Sequence, residues 1–100
     1  MDGMPEYVVN VSAAASWADV IAAFNRDFIR PICGGEWNGN LDALNDYLSW
    51  PNDQPYRLVL RGWSDCATVV NQHAAHGGRP VLDVVDEILS DNPQAVVVRS

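Results

Sequence analysis

Three short runs of aliphatic and β-branched residues, separated by stretches with helical periodicity, constrain the fold of this chain most strongly. The runs are Glu6 to Val11, Arg57 to Arg61 and Ala95 to Val98. Strands that are joined through helices pair best in parallel, with right-handed crossovers. The sequence therefore predicts a small α/β layered domain. Its 100 residues contain no repeat or linker, so one domain spanning residues 1–100 is expected.

Capping and helix-breaking residues mark the segments between these strands. Ser16 and Asp19 resemble a capping box, with Asp in place of the usual Glu, and Pro31 is expected to end the helix that they open. Pro80 fits the first turn of the last helix, which Asn92-Pro93 should end. A short helix is expected from Ser64 to about Val70, and loops from Ile32 to Glu36 and from His73 to Gly78. The expected core includes Trp17, Phe24, Leu44, Leu60, Val85 and Val97.

A further helix, which Asn40 is expected to cap, separates apolar from acidic residues. At about 3.6 residues per turn, one side holds Leu41, Ala43, Leu44, Tyr47 and Leu48, and the other holds Asp42, Asn45, Asp46 and Ser49. Asp42 and Asp46 are a like-charge pair one turn apart, which costs a helix about 0.2–0.5 kcal/mol when no cation lies opposite. Asp42 recovers part of this cost from the helix dipole, whereas Asp46 does not. The pattern predicts a helix face suited to a cationic partner, and the segment from Pro51 to Pro55 is expected to stop this helix.

The charge balance agrees with a cationic partner. The chain has 13 acidic residues against 6 basic ones, all Arg, and a formal net charge of −7. The stretch between Arg30 and Arg57 and the stretch between Arg79 and Arg99 contain acids but no base. Because nucleic acids and anionic membranes are bound through Lys and Arg, neither is expected as a direct partner. The alternative is that the acidity only keeps the protein in solution.

Cys33 and Cys66 are the only cysteines. The N-terminus lacks a basic segment followed by an apolar run, and no stretch has the length of a membrane span, so reduced thiols in a cytoplasmic protein are expected.

Enzymatic chemistry has weak support in the sequence. His73 and His76 with Cys66 suggest a metal or a Cys–His nucleophile, but a His-x-x-His pair lacks the four ligands of a structural zinc site. Asp42 and Asp46 could act as paired hydrolase carboxylates, but no cleft is evident for a substrate. The chain is therefore expected to be no enzyme and to hold neither a metal nor a cofactor.

The run Trp37-Asn38-Gly39-Asn40-Leu41-Asp42-Ala43-Leu44-Asn45-Asp46 resembles the signature helix of the barstar family, intracellular protein inhibitors of small secreted ribonucleases. The agreement extends over almost the whole chain, including Leu58-Val59-Leu60 followed by Trp63 and the helix from Val81 to Leu89. The resemblance implies a barstar-like three-stranded parallel sheet with helices packed on it. It also implies an immunity or self-protection factor that blocks the active site of a cognate ribonuclease.

The resemblance places the family's inhibitory residues at Asn40, Asp42 and Asp46, and its acid on the last helix at Glu87. Trp37, if exposed, would add the desolvated aromatic anchor that interfaces favour. The chain has Glu36 and Asn45 at two positions where aromatic residues are found in the family or its best-known member, so the enzyme recognised stays open. The expected partner-binding residues are Trp37, Asn40, Asp42, Asn45, Asp46 and Glu87.

A second hypothesis needs the same acidic face. The chain could be an acidic binding or immunity module of this fold whose basic protein partner is not a ribonuclease. Under either hypothesis the free protein is expected to be a monomer.

Overall fold

The computed structural model describes residues 4–49 and 55–100. Its elements are β1 (Glu6–Asn10), α1 (Trp17–Phe24), a π-helical segment (Asn25–Cys33), α2 (Leu41–Leu48), β2 (Tyr56–Arg61), α3 (Trp63–Val70), β3 (Ala75–His76), β4 (Arg79–Pro80), α4 (Val81–Asp91) and β5 (Ala95–Arg99). The predicted stop of α2 lies mostly outside the described residues, because these resume only at Pro55.

The three long strands form one parallel sheet in the order β1-β2-β5. Val59 of the central strand lies opposite Val8 on one side and Val98 on the other. Each crossover between successive strands contains at least one helix. The predicted α/β class, with its three-stranded parallel sheet and packed helices, is confirmed.

The capping box at the start of α1 is confirmed in its first half and shifted in its second. Ser16 Oγ accepts a hydrogen bond of 3.1 Å from the Asp19 backbone N–H. The Asp19 carboxylate in turn accepts from the Ala15 backbone N–H at 3.0 Å, one residue before the cap. One donor of the first turn, the Asp19 N–H, and the N–H of the residue before the cap are therefore satisfied.

The prediction that Pro31 ends the first helix is wrong. The chain continues from α1 into the π-helical segment, which contains Pro31 and is followed by Gly34 as its C-cap, where φ is +77°. Proline has no N–H to donate and its ring clashes with the carbonyl four residues earlier in a regular α-helix. The wider turn of a π-helix accommodates this clash, and the helical path extends to Cys33.

The core lies on one face of the sheet. Along β2, the side chains of Tyr56, Leu58 and Leu60 are buried, and the residues between them are half-exposed. Phe24, Leu44, Leu60 and Val85 are fully buried, as predicted. Trp17 and Val97 are only partly buried, because Trp17 lies in the first turn of α1 and Val97 lies on an edge strand.

The expected loop from His73 to Gly78 contains part of a small hairpin. Strands β3 and β4 pair antiparallel, with Ala75 opposite Pro80 and His76 opposite Arg79. Gly77 and Gly78 join them with φ of +60° and +81°. A Gly-Gly pair with two positive φ angles is the usual connection of a tight hairpin, so the signal was present in the sequence.

No helix among the described residues has the length and apolarity needed to cross a bilayer.

Candidate partner-binding site

The N-terminus of α2 is built by a polar turn. Asn40 has extended backbone angles, and its Oδ1 accepts hydrogen bonds from the N–H groups of Asp42 at 2.8 Å and Ala43 at 3.3 Å. Asn38 Oδ1 accepts from the Asn40 N–H at 3.0 Å, which orders the residue before the helix. The predicted N-cap is confirmed, and it places Asp42 in the first turn, where the dipole favours an anion.

Gly39 is required between these two asparagines. Its φ is +92°, and a Cβ at this position would lie 2.6 Å from Ile21 Cδ1. The positive φ disfavours any residue with a side chain here, and the end of the Ile21 side chain would have to shift to admit one.

The prediction of Trp37 as an exposed aromatic anchor is wrong. Its side chain is 1% exposed and packs edge-on against Trp17 and Phe24, with ring centroids 5.6 and 5.7 Å away. The indole Nε1–H donates to the Asn40 carbonyl at 2.9 Å, so its polar atom is satisfied inside the protein. Trp37 therefore stabilises the start of α2 from inside the core, and its ring is not accessible to a partner.

Asn25 fixes the same loop and was missed from the sequence. Its side chain is 3% exposed, and its Nδ2 donates to the Trp37 carbonyl at 2.8 Å. Its Oδ1 accepts from the Trp37 N–H at 2.7 Å. The signal available was a polar residue one turn after Ile21, on the apolar side of the first helix.

A second buried asparagine holds the other end of α2. Asn92, which follows α4, is 3% exposed. Its Nδ2 donates to Asn45 Oδ1 at 2.8 Å and to Ser49 Oγ at 3.1 Å. Helix α2 is thus fixed at its start through Trp37 and at its end through Asn92, which leaves little freedom for a rigid-body shift.

The exposed side of α2 carries carboxylates that the described residues leave unpaired. Leu41, Leu44 and Leu48 are buried, as the periodicity predicted, and Asp42 and Asp46 face solvent. Neither carboxylate forms an ion pair or a hydrogen bond with residues 4–49 or 55–100. The like-charge pair on α2 is therefore uncompensated in this part of the chain.

Glu87 is in a different situation from Asp42 and Asp46. It is exposed on α4, but Arg79 Nη2 lies 3.0 Å from its Oε2 and lowers the pKa of this carboxyl through a hydrogen bond and its charge. Asp86, its neighbour, pairs with Arg99. The acidic stretch between Arg79 and Arg99 contains no base, but the arginines at its two ends neutralise part of its charge.

Glu36, on the loop before α2, is paired in the same way. Arg30 Nε and Nη2 lie 2.7 and 2.9 Å from its two carboxylate oxygens, and this contact lowers the pKa of Glu36. Tyr47 O–H donates to the Glu36 carbonyl at 3.1 Å. Both carboxylate oxygens of Glu36 are therefore already engaged by Arg30 at the surface of this loop.

An open groove of about 510 Å³ lies beside the start of α2. Its lining includes Asn38, Asn40 and Asp42 on one side, His76 on the hairpin, and Trp17. The expectation that the chain has no cleft is therefore wrong. The lining contains no Ser, Thr, Cys, Lys or Arg, so it offers a carboxylate, two amides and the His76 imidazole but no nucleophilic hydroxyl or thiol.

The two thiols are buried and unpaired. Burial raises the pKa of Cys33 to about 11, and burial also raises the pKa of Cys66, with a contribution from Asp19. Such thiols stay protonated and unreactive near neutral pH. Within residues 4–49 and 55–100, no three His, Cys, Asp or Glu side chains are grouped to hold a metal ion.

Comparison with known proteins adds no relative. No protein-family model matches the chain, and no curated protein matches it either.

Proposed function

We propose that this chain is a cytoplasmic inhibitor that binds a small basic ribonuclease and blocks its active site with the exposed face of α2. The observation that carries the proposal is a contrast between acids. Glu6, Asp27, Glu36, Asp86 and Glu87 each pair with an arginine of the chain. Asp42 and Asp46 have no such partner among the described residues. Asp65 and Asp91 also lack one there, but Asp42 and Asp46 lie one turn apart on a helix that Trp37 holds at its start and Asn92 at its end. Five of the six arginines are engaged in those pairs, and the carboxylates of Asp42 and Asp46 face solvent.

The chemistry of a ribonuclease site supports this assignment. An enzyme that cleaves a phosphodiester lines its site with Arg, Lys and His donors, because charge develops on the phosphate during the reaction. Carboxylates match such donors, and an arginine fork binds a carboxylate through two hydrogen bonds. Asp46 would occupy the phosphate position, and Asp42 would engage a neighbouring cation. A helix that is already fixed loses little conformational entropy on binding.

Two other residues have narrower roles in the proposal. Asn40 holds the first turn of α2 through its Oδ1, and its carbonyl is engaged by Trp37, so it acts chiefly by positioning. Glu87 joins the interface only if a cation of the partner replaces Arg79. Trp37 has no part in it, because its ring is buried. The resemblance of the α2 sequence to the barstar helix points to the same class of target.

The proposal predicts inhibition without turnover. The test is a ribonuclease assay of a basic protein that copurifies with this chain from its native cell, titrated with wild-type protein and with Asp46→Asn. We expect wild type to abolish RNA cleavage at a one-to-one ratio and Asp46→Asn, which keeps the shape but removes the charge, to require a large excess. RNA cleavage that continues in the presence of a large excess of wild type would contradict the proposal.

The same assay separates the second hypothesis. If the copurified protein binds but has no ribonuclease activity, or is bound while its activity continues, the chain is an acidic binding module with another basic target. The unpaired carboxylates of α2 support both hypotheses, and the sequence resemblance favours a ribonuclease as the partner.

A further inference from the structure

We infer that the binding face of α2 presents a hydrogen-bond donor beside its carboxylates, the Nδ2 amide of Asn45, and that buried Asn92 sets this orientation. It follows that the partner places an acceptor, such as a backbone carbonyl, next to the cations that meet Asp42 and Asp46. The statement about the partner rests on the proposed function, whereas the orientation of Asn45 does not.

The orientation of Asn92 follows from backbone donors. Its Oδ1 lies 2.9 Å from the Gln94 nitrogen and 3.3 Å from the Ala95 nitrogen. A backbone N–H only donates, so the atom that faces both must be the oxygen. The Nδ2 of Asn92 therefore points the other way, towards α2.

Asn45 is then fixed by the same logic. The Asn92 Nδ2 lies 2.8 Å from the Asn45 side chain and 3.1 Å from Ser49 Oγ. An NH₂ group can only donate, so Asn45 must turn its oxygen towards Asn92. Its own NH₂ group then lies on the opposite edge of the amide.

The Asn45 NH₂ group is available to a partner. Asn45 is exposed, and its Nδ2 has no hydrogen-bond acceptor among the described residues. It precedes Asp46 and lies nearly one turn after Asp42 on the same side of α2. The face thus combines two acceptor-only carboxylates with one donor, and a partner with cations alone would leave this donor unpaired when water is excluded.

The orientation can be measured in the free protein by the exchange of side-chain NH₂ protons with water in a ¹⁵N-labelled sample. We expect the Asn45 NH₂ to exchange as fast as an unprotected surface amide and the Asn92 NH₂ to be protected. Asn92→Asp replaces the inward donor by an acceptor, so Asn45 should rotate and its NH₂ exchange should slow by about tenfold or more, as expected for a newly buried hydrogen bond. A protected Asn45 NH₂ in the wild type would overturn the assignment.

Asn45→Asp provides a second test by NH₂ exchange, and this substitution leaves the buried Asn92 unchanged. The new carboxylate can still accept from Asn92, so the Asn92 NH₂ should remain protected. Loss of that protection would show that Asn92 does not hold position 45.

The acceptor on the partner is tested by binding of Asn45→Asp to the ribonuclease. A carboxylate facing an acceptor should weaken affinity by about tenfold or more. Gln72→Glu is the control, since it adds the same charge at an exposed position beyond α3 and should change affinity little. Unchanged or tighter binding of Asn45→Asp would overturn the inference that the partner places an acceptor opposite Asn45. If the wild type binds no ribonuclease, the proposed function fails, and the exchange measurement still decides the orientation of Asn45.

Discussion

The acidic and apolar sides of α2 should respond in opposite ways to truncation. Leu44 is fully buried, and Leu44→Ala should destabilise the protein by about 2–5 kcal/mol through lost burial and the cavity left behind. Asp46→Ala removes a like-charge contact with Asp42 worth about 0.2–0.5 kcal/mol and should be neutral or slightly stabilising. Asp42→Ala loses a dipole interaction of about 0.3–1 kcal/mol but relieves the same repulsion, so its effect should be a few tenths of a kcal/mol.

Urea unfolding followed by circular dichroism, with heat denaturation alongside, measures these differences. For a domain of this size, about 1 kcal/mol shifts Tm by about 4–8 °C, so Leu44→Ala should lower Tm by about 8 °C or more. Asp46→Ala should leave Tm unchanged or raise it. If Asp46→Ala lost as much stability as Leu44→Ala, the carboxylate would be a structural group, and its assignment to a binding face would fail.

Three further predictions follow from the described contacts. Trp37→Ala should cost about 3–5 kcal/mol because the ring is buried; a loss below about 1 kcal/mol in urea unfolding would mean that the ring is exposed after all. Burial raises the pKa of the Cys33 thiol from 9.0 to about 11, so between these pH values the thiol ionises only in the unfolded chain. The free energy of unfolding should therefore fall from pH 8 to pH 10, and it should fall less in Cys33→Ala. Arg79→Ala should free Glu87 and raise the association rate with a basic partner at low salt, while stability should change little because the ion pair is exposed. An unchanged association rate would show that Glu87 lies outside the interface.

The sequence predicted the sheet and the start of α2 because both depend on local signals. The three β-branched runs became β1, β2 and β5, and Asn40 caps α2 through its own side chain. Such features need only the period of apolar residues and the chemistry of one turn.

The sequence did not predict the contacts that bring distant residues together. Trp37 could have faced solvent or the core, and its burial depends on Trp17 and Phe24 from α1. Glu87 pairs with Arg79 across eight residues of chain, and Asn92 reaches Asn45 across 47. The exposed carboxylates of α2 were predictable, since the helix period alone places them.

Binding kinetics of Asp46→Ala test the central claim most directly. Surface-bound ribonuclease should be probed with wild type, Asp46→Ala and Asp91→Ala, whose acid is exposed at the end of α4, at 0.1 M and 1 M salt. The Debye length falls from about 10 Å to about 3 Å across this range, so the wild-type association rate should drop steeply. Asp46→Ala should raise the dissociation rate and weaken the binding free energy by about 2–5 kcal/mol or more, because it leaves desolvated cations of the partner without a counter-charge. Asp91→Ala should change only the association rate, and only slightly. Equal effects of the two substitutions, or an association rate indifferent to salt, would contradict a carboxylate held in a phosphate site.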